Sequence, residues 1–243
     1  MLINRITFLW LAVVIVFLPL LTKADEYLLV MSKDDHVCQR AGSIYNKDLK
    51  EYGKLSLENH EEYNWLNWDE NIDIRDASGH SGVIGTPIIK LAVFDINNDG
   101  VYETVIFSRS SLGSLLRDKL DIYPVSVSKN RKNLNWATLN EIKYSGIYGG
   151  MDYQLKDAPA QRETKLANGD ILKFYIDIGH FMYIRPMKFG ETYYVSLFGS
   201  EGQGRSNVEL ENTNMVSISK FDKDNELTDV CYLVKAYAIR KEK

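Results

Sequence analysis

Two cysteines, Cys38 and Cys231, stand near opposite ends of a 243-residue chain. Joined to each other they close a loop of about 190 residues, which the chain-entropy model values at roughly 5 kcal/mol as an upper figure. A bridge of that reach brings both ends of the chain side by side. It therefore implies one compact unit rather than two separately folding halves. Pairing needs an oxidising compartment, and the N-terminus points to one. Met1 to Arg5 carries one positive charge, an apolar run of about 16 residues follows from Ile6 to Leu21, and Thr22-Lys23-Ala24 ends it. That run is short for a bilayer span of roughly 20 residues. The pattern is that of a secretory signal peptide cut after Ala24, with an uncleaved N-terminal anchor as the alternative. Residues 1–24 are expected to leave the chain, and 25–243 to form a single exported domain, periplasmic or secreted.

Charge narrows the partners. Without Arg5 and Lys23 the formal net charge falls from −4 to −6. An acidic chain with no basic run is poorly suited to a phosphate backbone, so no nucleic-acid partner is expected. No second apolar stretch is long enough to span a membrane, so no membrane partner is expected once the signal is cut.

Periodicity gives a mainly β, α+β chain with antiparallel sheets and a few short helices. Glu26–Met31 reads as a first strand and Val37–Glu51 as a helix carrying Cys38. The run Glu61–Trp68 has aromatics at three-residue spacing, read as a short helix anchored in the core; exposed, Tyr63, Trp65 and Trp68 would instead stack on sugar rings. Ile72–Pro87 has loop composition and contains His80. Ile88–Phe94 and Val101–Phe107 read as strands rich in β-branched and aromatic residues. Ser110–Leu120 reads as a short helix, Tyr123–Val127 as extended, and Lys129–Asn135 as a turn. Trp136–Tyr144 fits helix or strand. Ser145–Gly150, Asp157–Ala167 and the glycine-rich Gly199–Asn207 read as loops. Ile171–Ile178 alternates strictly and continues in Phe181–Ile184. The turn at Phe189-Gly190 then makes a hairpin with Thr192–Phe198, and Val216–Phe221 and Val230–Ala238 close the chain as strands.

One stretch states a chemistry. Between Val93 and Val105, oxygen-bearing side chains recur at Asp95, Asn97, Asp99 and Glu103, with Gly100 after the third. Alternate positions of a tightly curled loop can aim side chains at one point, and Gly100 permits the curl. The Val101 carbonyl would add a further oxygen, and Glu103 the last, directly or through water. Such a hard oxygen set suits calcium; the alternative is an ordinary hairpin loop, since Asn98-Asp99-Gly100 favours a turn without any ion. Three carboxylates this close repel one another without an ion, so metal should order the loop. An EF-hand is excluded, because its bidentate Glu position holds Ile106 and the flanks read as strands.

The loop resembles the calcium loops of FG-GAP repeats, found in integrin-type β-propellers and many secreted bacterial proteins. Asp95, Asn97, Asp99 and Glu103 fall on that family's ligand positions, and the resemblance implies a calcium-loop hairpin. It covers some twenty residues in a single copy, with Glu103 where the family usually has Asp. A seven-bladed propeller is not implied.

Other constellations carry little. Asp222-Lys223-Asp224-Asn225-Glu226 alternates similarly but lacks the glycine and reads as a hairpin turn. Ser126-x-x-Lys129 and Ser217-x-x-Lys220 fit a Ser-Lys pattern whose companion motifs are missing. His36, His60, His80 and His180 have no metal-ligand spacing; His180, near Asp177 and Arg185, is the best catalytic candidate, and a plain strand-end histidine explains it better. No catalytic residue is assigned. The expected function is an exported, calcium-stabilised binding or structural module for an unknown protein or glycan ligand. The alternative is an exported hydrolase of glycans or peptidoglycan with acidic catalysts. A buried aromatic cluster at Tyr63, Trp65 and Trp68 favours the module; an exposed one beside a cleft with two opposed carboxylates favours the hydrolase.

Overall fold

A computed structural model describes residues 26–70, 72–75, 88–112, 115–131, 133–149, 152–153, 161–165, 171–175, 179–201 and 213–235. The signal segment 1–24, the loop residue His80 and Asp177 lie outside them, as do most of Gly199–Asn207 and the end of Val230–Ala238.

The fold is mainly β. Its strands are β1 (Tyr27–Ser32), β2 (Ile74–Arg75), β3 (Ile88–Phe94), β4 (Glu103–Leu112), β5 (Leu115–Pro124), β6 (Leu134–Asn135), β7 (Ser145–Tyr148), β8 (Asp152–Tyr153), β9 (Gln161–Lys165), β10 (Ile171–Tyr175), β11 (Gly179–Phe189), β12 (Thr192–Glu201), β13 (Met215–Phe221) and β14 (Leu227–Lys235). The α-helices are α1 (Asp35–Tyr52) and α2 (Trp136–Ile142). A six-stranded antiparallel sheet runs β1-β14-β13-β12-β11-β8, and a four-stranded one runs β3-β4-β5-β7. β9 and β10 pair separately, and β2 and β6 form a short parallel pair.

The layers follow from side-chain alternation. Along β13, Val216 and Ile218 face α1, while Met215 and Phe221 face the second sheet. Along β3 and β4, Ala92, Phe94 and Val105 point between the sheets, and Leu91 and Ile106 point away. That outer face is covered by α2 through Leu139 and by the 3-10 turn Val125–Asn130 through Val127. The stack is helix, six-stranded sheet, four-stranded sheet, helical cover, with a period-two pattern deciding which layer each residue joins.

Helix α1 begins where Asp34 caps the Val37 N–H (3.3 Å) and ends at Gly53, φ +70°, whose N–H bonds the Leu49 carbonyl. These are ordinary N-cap and left-handed C-cap devices. The buried face carries Val37, Cys38, Ala41, Ile44 and Tyr45, and Cys38 there bonds Cys231 of β14 with Cα atoms 5.4 Å apart. The expected pairing of the two ends of the chain is present.

Several local expectations are corrected. Ser110–Leu120 is not a helix: it is the hairpin of β4 and β5, with Leu112 opposite Leu115. The alternation was hidden because Asp118 shares the core-facing parity of Leu120 and Ile122. Ser145–Gly150 contains a strand, β7, rather than a loop. Gly146 serves there as a packing residue, since a Cβ would lie 2.4 Å from Asp121 Oδ1. Asp157–Ala167 contains β9, an all-polar strand with no hydrophobic pattern to read. β10 pairs with β9, whereas β11 belongs to the six-stranded sheet. Val125–Asn130 is 3-10 rather than extended, and Glu61–Trp65 is a series of turns rather than a helix.

Candidate functional site

The stretch between β3 and β4 is a tight, self-bonded loop. Asn98 (φ +61°) and Gly100 (φ +88°) are left-handed and curl the chain. Asp95 accepts the N–H groups of Asp99 and Gly100, both at 2.9 Å, through its two oxygens. Asp99 Oδ1 accepts the Val101 N–H at 2.7 Å. Asn97 accepts the Asp99 N–H at 3.2 Å and donates to Asp99 Oδ2 at 3.2 Å. Val101 is exposed. Among the described residues, no three acidic, histidine or cysteine side chains are grouped so that they could hold a metal. The carboxylates are turned onto backbone amides instead.

Glu103 differs from the others. It opens β4 between Phe94 and Pro124, is 3% exposed, and accepts the Ile96 N–H at 3.1 Å. Burial pushes its carboxyl up to about 7, with the nearby charges of Asp99 and Asp95 adding to the rise. The loop thus holds a buried acid whose ionisation is opposed by its own neighbours.

Two contacts fasten this loop to the six-stranded sheet. The Asn98 side-chain amide bonds both backbone groups of Tyr193 on β12. Asn97 Nδ2 donates to Asn225 Oδ1 at 3.5 Å, which joins the loop to the acidic turn Asp222–Glu226. That turn is a β13–β14 hairpin, as expected: Asp222 Oδ1 accepts the Asp224 and Glu226 N–H groups, both at 2.9 Å, and Asn225 is left-handed, φ +60°. The two acidic turns, 128 positions apart at that contact, are neighbours in space.

Aromatic rings lead from the loop to a groove. Phe94, Tyr193 and Trp65 touch one another at centroid separations of 5.1–5.4 Å. Trp68 packs on Phe107 at 5.8 Å, and Tyr63 bonds Tyr45 and Ser196. All three expected aromatics are half-buried against the core. Trp65 also lines a groove of about 860 Å³ with His36, Gln39, Arg40, Glu61, Glu62, Lys188, Phe189 and Gly190. Across its floor the Lys188 N–H bonds the Glu62 carbonyl at 2.8 Å, and His36 meets Phe189 edge to face at 4.9 Å. Glu62 pairs with Arg40 through Oε1. Its Oε2 and the Trp65 Nε1 are buried with no hydrogen-bond partner among the described residues.

The remaining candidates fall apart. His60 pairs with the buried Asp48 at 2.6 Å and links the end of α1 to the following turn. His180 lies on β11 opposite Ser200 and Asp152. Ser217 bonds Ser219 and Asp229 inside the sheet, while Lys220 is exposed. Sequence reasoning placed Asn98 and Asn225 in turns but missed their contacts across the chain, and it missed Tyr193 and the groove. Both asparagines stand in turns that the sequence marks, which suits their left-handed backbone, φ +61° and +60°.

No family model, curated relative or solved structure matches this chain.

Proposed function

We propose that the chain is an exported binding module whose β3–β4 loop is stabilised by calcium. Asp95, Asn97, Asp99, the Val101 carbonyl and Glu103 would hold the ion once the Asp95 and Asp99 carboxylates swing from the backbone amides they accept here toward Glu103, and the ion would supply positive charge to opposed carboxylates. The single observation that carries this reading is Glu103: a buried carboxyl, raised to about 7, with Asp99 and Asp95 beside it. A cation removes that repulsion. The resemblance of Asp95–Glu103 to FG-GAP calcium loops supports the same assignment.

Export is supported by the N-terminal segment and by the Cys38–Cys231 bridge, which persists in oxidising compartments. No helix among the described residues is long and apolar enough to cross a membrane. The packing of Tyr63, Trp65 and Trp68 on the core supports a module over a hydrolase. The groove beside Trp65 is the ligand surface, with Glu62 Oε2 and Trp65 Nε1 as its unsatisfied acceptor and donor; a glycan or polypeptide ligand offers both complements.

Calorimetry and melting on the chelated, mature chain test the metal. Calcium is expected to bind and to raise the melting temperature, with both effects lost in Asp95→Ala. Absence of calcium heats in the wild type, or an unchanged response in Asp95→Ala, overturns the assignment.

A further inference from the structure

A second pocket, sharing no residue with the groove, opens where the two sheets meet. It encloses about 180 Å³ and is lined by Trp68, Ile88, Lys90, Phe107, Arg109, Ile184, Arg185 and Pro186. We infer that this pocket binds a small organic carboxylate with a flat apolar body, held by Arg109 and Arg185.

Arg109 of β4 and Arg185 of β11 share one buried carboxylate, Asp118 of β5. Arg109 approaches through Nε at 2.6 Å and Nη2 at 3.0 Å, and Arg185 through Nη1 at 2.7 Å. Asp118 also accepts the Ile184 N–H at 3.0 Å. Two guanidinium charges therefore meet one carboxylate charge. Lys90, the third cation of the lining, pairs with Glu70, and among the described residues no acidic side chain lines the pocket. One positive charge is left over in a partly buried, largely apolar place, which favours an anion.

Geometry selects the kind of anion. Each guanidinium has five N–H donors. Asp118 uses two of those on Arg109. On Arg185 it shares Nη1 with the Ile184 carbonyl, at 2.7 Å. Donors remain on both, and the two side chains are 22% and 28% exposed. Their forks are held still: Asp118 fixes one edge, and both guanidiniums lie over the Phe107 ring, 5.8 and 5.7 Å from its centroid. A pre-oriented fork suits a planar carboxylate better than a point anion. Trp68 and Phe107, 5.8 Å apart, with Ile184 and Pro186, supply apolar walls. The volume suits one six-membered ring, since an apolar cavity of about 150 Å³ holds benzene.

The same chemistry could come from a free aromatic acid or from the C-terminal carboxylate of a peptide ending in Phe. Titrations followed by tryptophan fluorescence and by arginine Nε–H NMR separate them, using benzoate, its neutral isostere benzamide, and N-acetyl-Gly-Phe as free acid and as amide. Benzoate is expected to saturate near about 1 mM, with benzamide at least tenfold weaker. Tighter binding of the dipeptide acid than of benzoate assigns the peptide source; weaker binding assigns the free acid. Arg185→Lys keeps the charge and loses the fork, and should weaken benzoate at least fivefold. Ile88 is 47% exposed at the rim, so Ile88→Glu leaves the core untouched and should weaken benzoate at least tenfold. Equal binding of benzoate and benzamide, no saturable shift with any probe, or an unchanged affinity in Ile88→Glu overturns the assignment. Chelator is present throughout, so the outcome is independent of calcium.

Discussion

Asn98 bonds Tyr193 as a neighbouring strand would. Its Nδ2 donates to the Tyr193 carbonyl at 3.0 Å, and its Oδ1 accepts the Tyr193 N–H at 2.7 Å. One side chain satisfies both backbone groups of a residue at the start of β12. The acidic loop is thereby locked to the six-stranded sheet, beside Trp65 and Phe94.

Asn98→Ala removes both bonds and places a Cβ-bearing residue without a polar side chain at φ +61°. The expected loss is about 2–3 kcal/mol, from two hydrogen bonds at roughly 1 kcal/mol each plus the left-handed penalty. Asn98→Gly removes the bonds and relieves the backbone, so it should cost about 1 kcal/mol less. Urea melts of the two variants separate the contributions; equal losses would show that the backbone term is absent.

Glu103 makes stability depend on pH in an unusual direction for an acid. Its folded pKa, about 7, lies above the ordinary 4.5, so between those values the folded chain holds more protons than the unfolded one. Stability without metal should fall as pH rises from about 4.5 to about 7 and then level. Glu103→Gln should abolish this dependence and stabilise the metal-free chain at pH 8 by up to about 3 kcal/mol. Thermal melts at pH 5 and pH 8 check the sign. Calcium affinity should rise across the same interval, because the ion competes with the proton.

Asp118→Asn leaves Arg109 and Arg185 without their shared charge at the sheet junction. Breaking a buried ionic network in this way should cost about 3–5 kcal/mol. Because the Ile184 N–H also loses a carboxylate acceptor, hydrogen exchange at Ile184 should rise along with the loss seen in denaturant melts.

Gly146→Ala tests why a glycine stands in β7. The added Cβ would meet Asp121 Oδ1 at 2.4 Å and the Leu120 carbonyl at 3.2 Å. Backbone cannot move away as a flexible side chain can. A loss of about 1–3 kcal/mol is expected, read as a lower denaturation midpoint with an unchanged slope.

Where side chains alternated by hydrophobicity, the fold was legible. The β11–β12 hairpin at Phe189-Gly190, the strand Val216–Phe221 and helix α1 with its cysteine all follow from local pattern. Elements built on polar residues were not. Asp118 sits at a core-facing position because two arginines from different strands neutralise it, and neither arginine is its neighbour in sequence. Gly146 looked like a loop residue because its role is set by Asp121 on the next strand. The acidic loop was legible as a loop, and its partners Tyr193 and Asn225 were not, since each contact spans about a hundred positions or more.

Strand order has a consequence for the timing of folding. β1 begins the described chain, yet its partner in the sheet is β14, and β14 lies between β1 and β13. Chains are made and delivered from the N-terminus. β1 and α1 must therefore wait, unpaired, until β14 has emerged, and the Cys38 thiol waits with them for Cys231. The six-stranded sheet cannot be completed one hairpin at a time. It closes like a clasp whose two halves, bridged by Cys38 and Cys231, stand 193 positions apart in the chain, and a chain truncated before Leu227 would leave β1 an orphan edge.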